Sequence, residues 1–199
     1  MTKGPFLLGL TGSIGMGKST TAGFFREVGV PVWDADAVVH RLYAPGGAAV
    51  PGIAAICPEA VQQGAVSRAV LKDWIARDPD ALRRIEGVVH PLVAADRAAF
   101  VADHSAEPLV VLDIPLLFET GAQADLDAVL VVTAPPQVQR ARVLARPGMT
   151  PAQFETISAK QMPDAEKRAR ADHVIETRSL EQTRAAVQAL VKELGGQDA

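Results

Sequence analysis

Eight consecutive residues, Gly12-Ser13-Ile14-Gly15-Met16-Gly17-Lys18-Ser19, fit the pattern G-x-x-x-x-G-K-[ST] in full. They directly follow the apolar run Phe6–Leu10 and open the helix-like stretch Thr20–Glu27. A glycine-rich loop between a strand and a helix lets successive backbone N–H groups curl towards a triphosphate, and the helix N-terminus adds a favourable dipole. In such a cradle Lys18 reaches the β- and γ-phosphates as a mobile positive charge, and the Ser19 hydroxyl is placed to ligate Mg²⁺. At ordinary residue frequencies the pattern arises by chance in on the order of one chain in a hundred. The strand–loop–helix context cuts that further.

The remaining chain fits a sheet built around this loop. Short apolar runs recur at Val30–Trp33, Leu109–Leu112 and Ala128–Val132, with a weaker one at His173–Ile175, and longer helical patterns lie between them. Runs without polar alternation suit strands buried on both faces. The expected fold is α/β, a doubly wound parallel sheet. The gap between the second and third strands exceeds one crossover; its stretch 67–103 reads as helical, with Pro91 as a break or a helix start. We expect a single domain over 1–199, with a helical insertion at about 60–105 and a lid at about 140–165 around Arg146-Pro147-Gly148-Met149-Thr150-Pro151. The last helix carries Leu180, Val187, Leu190, Val191 and Leu194 on one stripe and is expected to close at Gly195-Gly196.

Composition narrows the function classes. Among 199 residues, 20 Lys and Arg stand against 23 Asp and Glu, a formal net charge of −3 that gives no global reason to expect nucleic acid. Cys57 is the one cysteine, so an intrachain disulfide and a cysteine-based zinc site are excluded. The histidines His40, His90, His104 and His173 show no paired metal-ligand spacing. The run Phe6–Leu10 is too short for a signal-peptide core, and no stretch has the apolar length of a membrane span. The expectation is a cytoplasmic protein with no membrane partner, a monomer or small homo-oligomer.

Among nucleotide-binding classes, a regulatory GTPase is excluded by the sequence. It has no asparagine for a guanine-reading N-K-x-D, and no Asp is followed three residues later by Gly. Asp34-Ala35-Asp36 follows the second strand, near the rim where open α/β sheets bind ligands. One of these carboxylates suits helix capping and the other suits orienting an attacking hydroxyl; position alone does not say which. Leu109–Asp113 is a buried strand ending in a carboxylate, a form that holds Mg²⁺ through its water shell. Arg140, Arg142 and Arg146 lie beside the expected lid, where an arginine stabilises a transferring phosphoryl group, or else form a solvated basic face. Lys167-Arg168-Ala169-Arg170 reads as such a face. His90, Trp33, Trp74 and Met16 read first as packing residues.

These pieces, in their order and spacing, resemble the dephospho-CoA kinases. The matching stretches are Gly9 to Thr20, Asp34-Ala35-Asp36, Pro45-Gly46, His90-Pro91-Leu92-Val93, Asp113 to Glu119, Gln161-Met162-Pro163 and Arg168 to Asp172, which together span nearly the whole chain. The resemblance implies transfer of the ATP γ-phosphate to the ribose 3′-hydroxyl of dephospho-CoA, with Mg²⁺, giving CoA and ADP. It implies ATP binding by Gly12, Ser13, Ile14, Gly15, Met16, Gly17, Lys18, Ser19 and Thr20, and metal binding by Ser19 and Asp113. Asp36 falls on the family's proposed base, Asp34 on a positioning or capping carboxylate, Arg142 on the lid arginine and His90 in the substrate region. Rival readings are a P-loop kinase for a nucleoside monophosphate or a sugar acid, and a P-loop ATPase that switches a partner and phosphorylates nothing.

Overall fold

Each apolar run forms a strand. In the computed structural model, which describes residues 4–195, β1 (Phe6–Thr11) leads through the glycine loop into α1 (Lys18–Glu27), and β2 (Val32–Asp34) follows. Then come α2 (Ala35–Tyr43), α3 (Val50–Ile56), the hairpin β3 (Val61–Gln62) and β4 (Ala65–Val66), α4 (Arg68–Arg77) and α5 (Ala81–Asp103). The chain continues through β5 (Leu109–Asp113), β6 (Ala128–Thr133), α6 (Pro136–Leu144), α7 (Pro151–Ala159), α8 (Asp164–Ala169), β7 (His173–Glu176) and α9 (Leu180–Gly195). Gly196 lies outside the described residues. No helix among the described residues is long and apolar enough to cross a membrane.

The five main strands are ordered β2-β5-β1-β6-β7. The pairings of β1 with β5, β1 with β6 and β6 with β7 are parallel. All five residues of β5 and all six of β6 are buried, the mark of strands covered on both faces. Alternation along β6 shows how. Leu130 and Val132 join Leu8, Leu10, Phe24, Phe25, Val187 and Leu190 in one cluster, while Val129 and Val131 join Leu117 and Phe118 in another. Helices α1 and α9 pack on the first of these faces. The second strand starts later than its apolar run suggests because Val30 is still tied to α1, its N–H donating to Phe25 O at 3.0 Å.

The chain divides into two compact units, one formed by Asp34–Asp103 and the other by the sequence on either side. Within the first, Pro91 neither breaks nor starts a helix; it lies inside the 23-residue α5. An interior proline costs about 3 kcal/mol, and packing of α2, α3 and α4 along α5 offsets it, with Ile85 and Val89 buried. The hairpin had no periodicity to betray it. Its turn is made by Gln63 at φ 51° and Gly64 at φ 77°, the left-handed pair that a two-residue hairpin requires. Cys57 is 2% exposed, and burial, with the Glu59 side chain next in weight, pushes its thiol up.

Candidate active site

The carboxyl ends of four neighbouring strands bring the site residues of the larger unit together. Register places Leu10 opposite Asp113, Thr11 opposite Val131, and Thr133 opposite Glu176. The loop after β1, Asp113, Thr133 and Thr177 therefore share one rim, where a parallel sheet binds its ligands.

The curl of the loop is set by its glycines. Gly15 and Gly17 have φ of 78° and 89°, left-handed angles that cost a side-chain-bearing residue 1–2 kcal/mol (roughly). Gly12 is required for a different reason, since a Cβ there would lie 2.6 Å from Val132 Cγ2 and 2.7 Å from Val132 O. Ser13 is not among the left-handed residues, so its Cβ costs nothing in conformation. Gly17 is the N-cap of α1 and no side chain caps the helix. Its first-turn N–H groups, which have no intrahelical acceptor, are the donors a phosphate takes.

Lys18 Nζ donates to Asp113 Oδ1 at 2.5 Å, with side-chain exposures of 16% and 2%. The strand buries the carboxylate, and the ammonium of the partly exposed lysine neutralises it. Ser19 and Thr20 are exposed on the first turn of α1. Ser19 and Asp113 offer two hard oxygen donors, and among the described residues no group of three or more His, Cys, Asp or Glu forms a metal cage. That donor set fits Mg²⁺, which keeps water and substrate phosphates as its other ligands.

Behind the loop stands a scaffold of polar side chains. Met16 packs as core, 3% exposed, and Ala134 N–H points at its sulfur at 3.0 Å. Thr177 Oγ1 donates within reach of Met16 O at 2.9 Å and Thr133 O at 3.2 Å. A Cβ on Gly17 would lie 2.9 Å from that same oxygen. Arg142 binds Thr177 twice, Nη1 to Oγ1 at 2.8 Å and Nη2 to the carbonyl at 2.6 Å. Arg140 and Arg146 are exposed.

A second lysine–carboxylate pair lies further along the same unit. The expectation of a solvated face fails at Lys167, which is 0% exposed with its Nζ 2.9 Å from Glu119 Oε1. Arg168 and Arg170 do face solvent, at 50% and 53% exposure. The helix α8 has only six residues, too few for charge runs to reveal which position turns inward. Glu119 also accepts from Met162 N–H at 2.8 Å. Burial pushes the Glu119 carboxyl up, but the Lys167 ammonium and the Met162 N–H outweigh it and hold the group below its ordinary range.

Asp34, Asp36 and His90 belong to the other unit. Asp34 is the capping carboxylate: its Oδ1 accepts from Ala37 N–H at 3.0 Å at the start of α2. Asp36 lies exposed in the first turn of α2, and His90 is exposed midway along α5. Arg41 Nη2 and Asp96 Oδ2, 2.5 Å apart, tie α2 to α5 within this unit. Trp33 is core at 4% exposure, and Trp74 donates through Nε1 to Asp78 Oδ2 at 3.1 Å. Sequence reasoning missed Thr177 and the buried Lys167. The one available signal was topological: every strand end in a parallel sheet reaches the ligand rim, so the residue after β7 was a candidate.

A parallel sheet carrying this glycine loop at the end of its central strand, with a lysine held by the carboxylate of the neighbouring strand, defines a P-loop nucleotide-binding protein. The dephospho-CoA kinase family model matches residues 6–182. The chain belongs to the dephospho-CoA kinase family. A dephospho-CoA kinase of Cereibacter sphaeroides is 67% identical over 187 residues, covering 94% of each chain. That of a Jannaschia species is 60% identical, covering 95% of this chain and 97% of its own. A crystal structure from Thermus thermophilus superposes with a TM-score of 0.85 at 39% identity, over 96% of this chain and 99% of that one. Dephospho-CoA kinase from Campylobacter jejuni shares the fold at a TM-score of 0.69 and 22% identity, with 97% and 98% covered.

Proposed function

We propose that the chain phosphorylates the ribose 3′-hydroxyl of dephospho-CoA with ATP, giving coenzyme A and ADP. The observation that carries this is the uncapped start of α1, where left-handed glycines present backbone N–H groups beside a lysine held at 2.5 Å by Asp113, in a chain of this family. The P-loop from Gly12 to Thr20 takes the triphosphate, and Lys18 leaves Asp113 to follow the β- and γ-phosphates. Ser19 and Asp113 are the residues assigned to Mg²⁺, which supplies charge neutralisation of the phosphate oxygens when bound. Asp36 is assigned to the acceptor: it holds the hydroxyl in line and takes its proton. The new bond runs from the 3′-oxygen to the γ-phosphorus while the bond from that phosphorus to the β,γ-bridging oxygen breaks, and ADP leaves. The transition state is loose, so orientation contributes more than basicity.

Arg142 is assigned to the transferring group, which requires it to release Thr177. His90 is assigned to the substrate region around 60–105, and 140–165 to a lid. We place the reaction in the cytoplasm, in a monomer or small homo-oligomer. An ADP-release assay with dephospho-CoA, nucleoside monophosphates and sugar acids as acceptors tests the reading. Turnover is expected with dephospho-CoA, and Asp36→Asn should keep ATP affinity while lowering kcat by about 10²–10⁴-fold. Steady ATP hydrolysis indifferent to every acceptor would overturn it.

A further inference from the structure

One residue of the phosphate loop is held at both of its backbone polar groups by glutamines. Ile14 N–H donates to Gln161 Oε1 at 3.0 Å, and Ile14 O accepts from Gln139 Nε2 at 2.8 Å. Because the backbone partners are a fixed donor and a fixed acceptor, the orientation of each amide is determined. Gln139 lies on α6 before the turn at 146–150, and Gln161 follows α7 after it. The two glutamines therefore stand near the two ends of the α6–α7 segment and grip the same residue.

The grips are anchored. The loop rests directly on α6, where a Cβ on Gly15 would lie 2.5 Å from Val143 Cγ2 and 3.0 Å from Gln139 O. Gln161 is fixed from its neighbour, since Met162 N–H donates to the Glu119 carboxylate that pairs with buried Lys167. Its own N–H donates to Ser158 O at 3.1 Å. Ser158 Oγ, on the last turn of α7, is buried without a hydrogen-bond partner among the described residues. Between those grips Arg142 bonds Thr177 twice and Val143 is fully buried, so the segment and the loop are tied together as one piece.

We propose that Gln139 and Gln161 are positioning residues. They hold the two peptides flanking Ile14 in the phosphate-binding curl and couple them to the α6–α7 segment, so that displacement of the segment is felt at the nucleotide. Neither side chain is required to touch substrate. This inference rests on the phosphate loop being the nucleotide site.

The test exploits the opposite sense of the two bonds. A glutamate at 161 still accepts from Ile14 N–H, whereas a glutamate at 139 has no proton for Ile14 O; each adds the same charge beside the same residue. Two readouts are used on the full chain: hydrogen exchange of the Ile14 amide without nucleotide, and ADP affinity by calorimetry. Gln161→Met should speed Ile14 exchange by roughly ten-fold and weaken ADP by about five- to ten-fold, the scale of one lost hydrogen bond. Gln161→Glu should restore both to within about three-fold, while Gln139→Glu should weaken ADP as Gln161→Met does. If Gln139→Glu does not fold, the Met and Glu variants at 161 still decide the matter through loss and rescue. Unchanged Ile14 exchange in Gln161→Met would overturn the clamp, and so would equal weakening by both glutamates, which is the signature of charge alone. Wild-type protein that fails to bind ADP, with Ile14 protected as described, would instead overturn the nucleotide site and the positioning role with it.

Discussion

Two lysine–carboxylate pairs lie in the same unit, and the same chemistry serves them differently. Lys18 meets Asp113 with its side chain 16% exposed, whereas Lys167 meets Glu119 with its side chain sealed at 0%. An ammonium that retains contact with water can trade its carboxylate for a phosphate at little desolvation cost. A sealed one can trade with nothing, and breaking its pair strands a buried charge. Burial of the cation separates a working lysine from a pin.

Four substitutions sharpen or break that contrast. Lys18→Met should lower kcat/KM about 10³-fold and abolish the rise in Tm that ADP confers on the wild type. Retention of that rise would place the phosphate contact elsewhere. Lys167→Met should instead keep the ADP-induced rise and lower the baseline. Stranding Glu119 costs about 3 kcal/mol, the low end for a buried pair because Glu119 keeps some water, or roughly 6–12 °C in a chain of this size. A baseline unmoved in thermal melts would make Lys167 a bystander.

Glu119→Gln addresses the same pair through pH. The folded protein holds this carboxyl below its ordinary value of 4.5, so its stabilisation is complete above that value and drains away as pH falls through the lower folded-state value. Stability of the wild type should therefore fall more steeply below pH 4.5 (about) than that of the variant; parallel acid profiles would refute the assignment. Arg168→Ala, beside Lys167 on α8 but half exposed, removes a pair with Asp164 at 2.9 Å. It should change stability by no more than about 0.5 kcal/mol in denaturant titration.

The frame of the molecule was legible because it rests on local rules. Uninterrupted apolar runs at Leu109–Leu112 and Ala128–Val132 meant doubly covered strands, and the glycine pattern meant a curl before a helix. Asp34 as a cap was legible only as one of two choices, settled by the bond to Ala37 N–H. What stayed hidden depended on distant partners. Lys167 sits in a run of charges that looks solvated, and only the return of Glu119 from 48 positions earlier makes burial tolerable. Pro91 looks like a break because the helix-breaking term is local, while the packing that overrides it comes from three other helices. Thr177 carries no motif; its role comes from the register of β7 against β6.

The sealed thiol of Cys57 has a practical corollary. With its single native sulfhydryl buried and protonated, the intact protein should stay silent to maleimides. A cysteine introduced at exposed Arg140 on α6, or at exposed Arg146 in the turn after it, would then take a fluorescent or spin label at that position alone.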